Sequence, residues 1–113
     1  RATGSEIIAV PQNKQGMDLV SVLDALGQRG IVNLLVEGGG QIHKSFLEAR
    51  LADEACIYVA PRILGQGRSV FPTAAPHQIG QGIQLTSVAT ETLSPDVRIR
   101  GYVQYPQALG SEV

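Results

Sequence analysis

The residues best suited to chemistry lie in one short stretch, where Glu37 is followed by three glycines and then by a helical pattern. Without a Cβ atom, Gly38, Gly39 and Gly40 can adopt positive φ angles and let the backbone approach a ligand closely. The free N–H groups and the positive dipole end of the following helix favour a phosphate or pyrophosphate. The stretch therefore predicts an anion-binding turn, formed by the glycines and Gln41, beside a carboxylate.

The same residues also fit roles without a ligand. Three glycines can form a tight strand-to-helix turn, and isolated glycine clusters are weak signals. Glu37 is alternatively an exposed or helix-capping carboxylate, and His43 and Lys44 are equally well explained as solvated side chains. The place of Glu37 at the end of a predicted strand favours function, because ligands gather at the carboxyl ends of strands in open α/β sheets.

The standard nucleotide-binding motifs are incomplete in this chain. Gly38 and Gly40 match the first two positions of GxGxxG, but His43 occupies the third. No GK[ST] follows the glycines, so the Walker A loop is absent as well. The chain also lacks the HxE and PCxxC signature of zinc deaminases, and we expect neither deaminase activity nor a metal site.

Strand and helix patterns alternate through the first part of the chain, and these elements must position the glycine turn. Apolar runs predict strands at 6–10, 32–36 and 55–60. Helical spacing from Met17 to Arg29, and again after the glycines, predicts the two connecting helices. Strands joined in this way imply parallel βαβ units with right-handed crossovers, which is an α/β fold.

The pattern changes after Pro61. Residues 63–82 hold four glycines and two prolines without a sustained period, which predicts a long surface loop. Residues 83–90 and 97–105 then read as two strands joined around Ser94, Pro95 and Asp96. The sequence therefore predicts a C-terminal antiparallel hairpin with one wet face.

Composition limits the classes of partner. Apolar residues make up 43% of the 113 and charged residues 17%, as in a globular protein with a buried core. The formal charge of −1, without a basic run, disfavours a nucleic-acid partner, and the apolar stretches are too short for a membrane helix. Cys56 is the only cysteine, which fits a reducing compartment such as the cytoplasm.

Residues 32–65, VNLLVEGGGQIHKSFLEARLADEACIYVAPRILG, resemble the hallmark of the riboflavin-biosynthesis reductase family. The shared features are VEGG, a helix with FLEA, then DE, and YVAP closed by LG. The resemblance extends from the first predicted strand to the terminal hairpin. It implies a dihydrofolate-reductase-like fold, a three-layer sheet with parallel strands and the C-terminal hairpin, of which residues 1–113 form the later half.

The resemblance also implies a function. Members of this family use NADPH to reduce the ribosyl group of 5-amino-6-(5-phosphoribosylamino)uracil to a ribityl chain, and they assemble as homodimers. It implies that Glu37 contacts the substrate. The residues it places along the cofactor run from Gly38 to Ser45, namely Gly38, Gly39, Gly40, Gln41, Ile42, His43, Lys44 and Ser45. Of these, His43, Lys44 and Ser45 fill positions that the motif leaves variable.

Two other interpretations remain open at the level of sequence. A reductase of the same fold that acts on a folate or pterin would share these features, because most substrate contacts lie in the earlier half of the domain. The second interpretation is that the chain is a non-catalytic fragment that serves assembly. An N-terminal half would have to complete the domain before the chain could act, and the chain alone is expected to be inactive.

Overall fold

The computed structural model describes residues 4–14, 16–72 and 81–107. These residues form two helices, a two-stranded ladder and a three-stranded antiparallel sheet. In chain order the elements are β1 (Gln12–Asn13), β2 (Gly16–Met17), α1 (Leu19–Gln28), α2 (Gly40–Glu48), β3 (Glu54–Val59), β4 (Gln84–Leu93) and β5 (Asp96–Gln104). The mixed helix and strand content predicted from the sequence is confirmed.

Helix α1 begins and ends where its local sequence predicts. Asp18 is the N-cap residue, and its carboxylate accepts a hydrogen bond of 2.8 Å from the Ser21 hydroxyl. At the other end Gly30 has a φ of +79°, and its N–H donates to the Gly27 carbonyl. Ile31 N–H also donates to the Leu26 carbonyl, so this end forms a Schellman motif, for which glycine is the favoured residue.

Helix α2 ends in the same way without a glycine. Arg50 has a φ of +57°, and its N–H donates to the Leu47 carbonyl. Leu51 N–H donates to the Phe46 carbonyl, which completes a second Schellman motif. The Arg50 guanidinium donates a 2.7 Å hydrogen bond to the Pro106 carbonyl and stands 5.5 Å from the centre of the Tyr105 ring. The end of α2 is therefore joined to the residues that follow β5.

The predicted hairpin is confirmed as β4 and β5, and β5 is the central strand of the sheet, in the order β3-β5-β4. The register of β4 shifts between Thr86 and Ala89, and Ser87 there has a φ of +50°. Gly101 faces this irregularity, where a Cβ atom would stand 3.0 Å from Leu85 Cβ and 3.1 Å from the Thr86 carbonyl oxygen. The bulge in β4 therefore depends on a glycine in β5.

The predicted parallel strands are not confirmed. Of the three segments, only 55–60 forms a strand, as β3, and its partner β5 runs antiparallel to it. Residues 6–10 and 32–36 belong to no ladder among the described residues. A strand needs a neighbour that accepts and donates its backbone hydrogen bonds, and neither segment meets one in the described part of the chain.

The side chains of these unpaired segments are correspondingly exposed. Val32 is 90% exposed and Leu35 is 80% exposed, although their sequence is typical of a strand covered on both faces. Among the described residues only Leu19 and Phe46 are buried apolar side chains. At the start of segment 6–10, Glu6 forms an exposed salt bridge with Arg29, which spans 2.8 Å and lowers the pKa of the Glu6 carboxyl.

The long loop predicted at 63–82 is confirmed in part. Residues 61–72 form no helix or strand, while residues 73–80 lie outside the described residues. Within the residues that are described, no helix is long and apolar enough to cross a membrane.

Candidate active site

The glycine turn has the backbone conformation that its sequence predicts. Gly38 and Gly39 have φ angles of +118° and +119°, and Gly39 has a ψ of 171°. This region of backbone space is open essentially to glycine alone. A Cβ atom at either position would meet nothing within 4 Å, so the outer side of the turn faces open space. A ligand can therefore approach the backbone there.

The turn leads directly into the first N–H groups of α2. Gly39 is the N-cap residue, no side chain caps the helix, and the first hydrogen bond within the helix runs from His43 N–H to the Gly39 carbonyl at 3.2 Å. The N–H groups of the first helical turn have no acceptor within the helix. They lie at the positive end of the helix dipole, where an anion is stabilised.

Glu37 is exposed beside the turn and does not cap α2, so the capping interpretation of this residue is excluded. In the described part of the chain its carboxylate has neither a hydrogen-bond partner nor a salt-bridge partner. The carboxylate is therefore available to a ligand that binds over the turn.

Gly40 differs from the other two glycines. Its φ is not left-handed, but a Cβ atom there would stand 3.2 Å from Pro72 Cδ and Cγ and from the Ser69 carbonyl oxygen. The side of Gly40 is thus closed by the loop. The third glycine is required for packing, whereas Gly38 and Gly39 are required for backbone conformation.

The remaining predicted residues divide between the two sides of α2. His43 faces the loop, where its Nδ1 lies 3.0 Å from the Val70 carbonyl oxygen. The Ser45 hydroxyl donates to the Gln41 carbonyl at 3.0 Å, which occupies its hydrogen. Ile42 is half-buried.

A groove of about 380 Å³ runs along α2 on the side that carries Gln41, Lys44 and Ser45. Its opposite wall comes from the short ladder and the start of α1, with Asn13, Met17, Asp18, Leu19 and Val20. Lys44 is the one basic side chain among the described residues that line it, and Asp18 and Glu48 are the acidic ones. The groove reaches the first turn of the helix at Gln41, whereas Gly38, Gly39 and Gly40 do not line it.

Two features of the site were not predicted from the sequence. The contacts of loop residues 69–72 with α2 and the participation of Asn13 and Asp18 in the groove were not predicted. The prolines and the single phenylalanine of the loop were the available signals, but nothing in their spacing indicates which helix they contact. No cluster of potential metal ligands occurs among the residues that the structure describes.

Comparison with known proteins places the chain in a family. The sequence profile of the RibD C-terminal domain matches residues 2–99. The riboflavin biosynthesis protein RibD of Escherichia coli K12 is 36% identical over 91 residues, which cover 80% of this chain and 25% of that protein. RibD of Actinobacillus pleuropneumoniae is 28% identical over 99 residues, which cover 86% of this chain and 26% of the relative.

A shorter relative has a more specific name. The 5-amino-6-(5-phosphoribosylamino)uracil reductase of Buchnera aphidicola from Acyrthosiphon pisum is 30% identical over 96 residues, which cover 84% of this chain and 46% of that protein. The chain thus spans about a quarter of the RibD relatives and just under half of this reductase. Because the family profile runs unbroken from the first predicted strand through the glycine turn into the final hairpin, the chain belongs to the RibD C-terminal domain family.

Proposed function

We propose that this chain is the later half of a reductase domain that converts the ribosyl group of 5-amino-6-(5-phosphoribosylamino)uracil to a ribityl chain, with NADPH as reductant. The observation that carries the proposal is the family match over residues 2–99, which includes the Glu37 and glycine stretch. The printed name of the Buchnera relative supports the substrate. Its length supports the view that a further half of the domain is needed for activity.

The geometry of the turn fits a dinucleotide. Gly38 and Gly39 leave their outer side open, and they directly precede the first N–H groups of α2, which no side chain caps. In this proposal the backbone from Gly38 to Ile42 holds the diphosphate, and Gln41, Lys44 and Ser45 line the groove into which the cofactor extends. The cofactor supplies the hydride. The protein holds the cofactor in place. It also excludes water from one side of the turn.

Glu37 stands on the substrate side of the turn in this proposal. Its exposed carboxylate, at the end of an apolar segment and beside the cofactor turn, suits a group that either orients the ribose or moves a proton during ring opening. Neither task requires a nucleophile or a metal.

We also propose that the complete protein is a cytoplasmic homodimer. The dimer follows from the family resemblance; the exposed side chains of Ile31, Val32, Leu34 and Leu35 support only that a further part of the protein covers this segment. A dimer of the full-length protein at micromolar concentration, measured by light scattering, is the expected result. A monomer would reject this part of the proposal.

The activity is tested with the full-length protein and a panel of acceptors. We expect oxidation of NADPH, followed by the loss of absorbance at 340 nm, when 5-amino-6-(5-phosphoribosylamino)uracil is added, and a ribityl product by mass spectrometry. Dihydrofolate and dihydropterin serve as alternative acceptors. Turnover of either one, without turnover of the uracil substrate, would reject the proposed substrate and retain the reductase class.

A further inference from the structure

One face of the first turn of α2 is covered by four loop residues, Ser69–Pro72, which we call the strap. The strap is close enough that a Cβ atom at Gly40 would stand 3.2 Å from the Pro72 ring and from the Ser69 carbonyl oxygen. Such a distance is tighter than ordinary van der Waals contact between carbon atoms. The absence of a side chain at Gly40 is therefore a condition for this packing.

His43 makes two contacts with the same strap. Its Nδ1 lies 3.0 Å from the Val70 carbonyl oxygen, which is hydrogen-bonding distance. Its ring also packs against Phe71, with 5.5 Å between ring centres and an angle of 52° between the planes. This tilted arrangement is favourable for aromatic rings. Because a carbonyl oxygen can only accept, Nδ1 carries the hydrogen in this contact.

Gly40 and His43 are three residues apart and share one face of α2. That face holds the strap, while the Gly38 and Gly39 side of the turn is open. The strap therefore covers the turn on the side of Gly40 and leaves the side of Gly38 and Gly39 accessible.

From these contacts we infer that His43 is a positioning residue, which holds the strap against the first turn of α2 as a fixed wall of the cofactor turn. The contribution to cofactor binding rests on the proposed function, whereas the attachment of the strap does not. His43 was predicted from the sequence to lie along the cofactor. In the structure its Nδ1 lies at hydrogen-bonding distance from the Val70 carbonyl oxygen, and its ring packs against Phe71.

Two substitutions of His43 test the hydrogen bond to Val70: both place a polar amide at this position, but only one keeps the donor to the Val70 carbonyl. In His43→Asn the amide nitrogen occupies nearly the position of imidazole Nδ1, so the donor to Val70 is kept. In His43→Gln the amide nitrogen occupies nearly the position of Nε2, so that donor is lost. Gly40→Ala provides an independent perturbation, since its Cβ atom presses on Pro72 and Ser69 while the helix stays intact.

The rate of trypsin cleavage after Arg68 measures how often the strap detaches from α2 in the full-length protein. Arg68 precedes the strap directly, and Lys14, between β1 and β2, is an internal control. Loss of one hydrogen bond should raise cleavage after Arg68 about tenfold in His43→Gln, because proteolysis follows the population of the open form. We expect His43→Asn to be cleaved close to the original rate and Gly40→Ala to be cleaved faster. Equal cleavage after Arg68 in His43→Gln and the unaltered protein would overturn the inference.

NADPH binding, followed by fluorescence, tests the consequence for the site. We expect His43→Gln to bind NADPH several-fold more weakly, with a higher KM for NADPH and a smaller change in kcat, at unchanged Tm. His43→Asn should recover most of the affinity. Faster cleavage after Arg68 with unchanged NADPH affinity would overturn the positioning role. Failure of the unaltered protein to bind NADPH would refute the proposed function, while the trypsin comparison would still decide whether His43 holds the strap.

Discussion

At the scale of single residues, the three glycines of the turn are needed for two different physical reasons. Gly38 and Gly39 adopt a left-handed backbone that other residues rarely reach, and Gly40 permits contact with Pro72. Any substitution at Gly39 would cost about 1–3 kcal/mol of backbone strain, so a loss of binding there would not isolate the anion contact. The next residue, Gln41, offers a cleaner test because it is exposed and helical.

We predict that Gln41→Glu weakens NADPH binding about tenfold without lowering stability. A carboxylate in the first turn of α2 should stabilise the helix by about 0.3–1 kcal/mol, while it repels a diphosphate at the same turn. The two effects therefore have opposite signs, and Kd and Tm measured on one sample separate them. Gln41→Lys is the matched control and should bind NADPH at least as tightly as the unaltered protein. Equal affinity of the Glu and Lys variants would place the diphosphate elsewhere.

For Glu37 we predict that Glu37→Gln lowers kcat/KM by about tenfold or more, which corresponds to about 1.4 kcal/mol of transition-state stabilisation. Tm and NADPH affinity should remain nearly unchanged, because the carboxylate has no partner among the described residues that the substitution would break. Asp24→Asn on α1 removes the same charge away from the turn and serves as control. Full activity with a lowered Tm would instead make Glu37 a structural residue.

At the scale of elements, the turn is positioned by the two ends of α2. Its start contacts the strap, and its end is tied to the segment after β5 through Arg50 and Tyr105. The Tyr105 hydroxyl donates to the Ala52 carbonyl and accepts from the Ala52 N–H, both at 3.0 Å. These contacts join the connection between α2 and β3 to the end of the central strand.

The Tyr105 contact should make stability depend on alkaline pH. Burial raises the pKa of the Tyr105 phenol above its ordinary value of 10.0, so the folded protein favours the neutral form. The stabilisation is therefore complete below about pH 10. It is lost as the pH rises through the raised pKa, because the ionised phenol cannot donate to Ala52.

We predict that Tyr105→Phe costs about 1 kcal/mol per hydrogen bond near neutral pH. The difference in Tm between the unaltered protein and this variant should shrink above pH 10. Tyr58 and Tyr102 are present in both proteins, so their contributions cancel in the difference. A difference in Tm that stays constant from pH 7 to 11 would show that ionisation of Tyr105 does not weaken the contact.

The sheet offers a second test at this scale. Gly101→Ala should destabilise the protein by about 1–3 kcal/mol, since its Cβ atom would overlap Leu85 and the Thr86 carbonyl. Gly67→Ala is the control, because a Cβ atom there meets nothing within 4 Å and its φ is not left-handed. Chemical denaturation of both variants measures the contrast. Equal free energies of unfolding for the two variants would mean that β4 moves away from β5 without loss of stability.

At the scale of the whole molecule, the described residues leave a strand-like segment uncovered. Residues 31–36 connect α1 to the glycine turn, so their pairing determines where Glu37 stands relative to the sheet. β3 lies at the edge of the three-stranded sheet and has one side without a neighbour among the described residues. If 31–36 pairs in a larger sheet of the complete domain, its apolar side chains become covered.

We predict that Leu35→Lys destabilises the full-length protein by about 2 kcal/mol or more, because a covered strand would bury the unpaired charge. Gln104→Lys, at an exposed position of β5, is the control and should change stability by less than about 0.5 kcal/mol. Urea denaturation measures both values. A negligible effect of Leu35→Lys would mean that residue 35 stays as exposed in the complete protein as it is in this structure.

The sequence by itself determined the features whose interactions are local. Helix α1 with its Asp18 start and Gly30 end, the hairpin β4–β5 and the left-handed Gly38–Gly39 turn follow from groups only a few residues apart. Helix periodicity, capping and turn chemistry act over such short separations. These elements were therefore predicted with nearly their observed bounds, whereas the family resemblance came from the linked motifs of residues 32–65.

Tertiary structure alone decided the features whose partners are distant in sequence. Val70 lies 27 residues from His43 and Tyr105 lies 53 residues from Ala52, so no periodicity relates them. The parallel strands expected at 6–10 and 32–36 are not confirmed for the same reason, since strand formation depends on a neighbour that the segment's own sequence does not contain. Strand propensity marks a segment that can pair, and only the chain folded around it determines whether and in which direction it does.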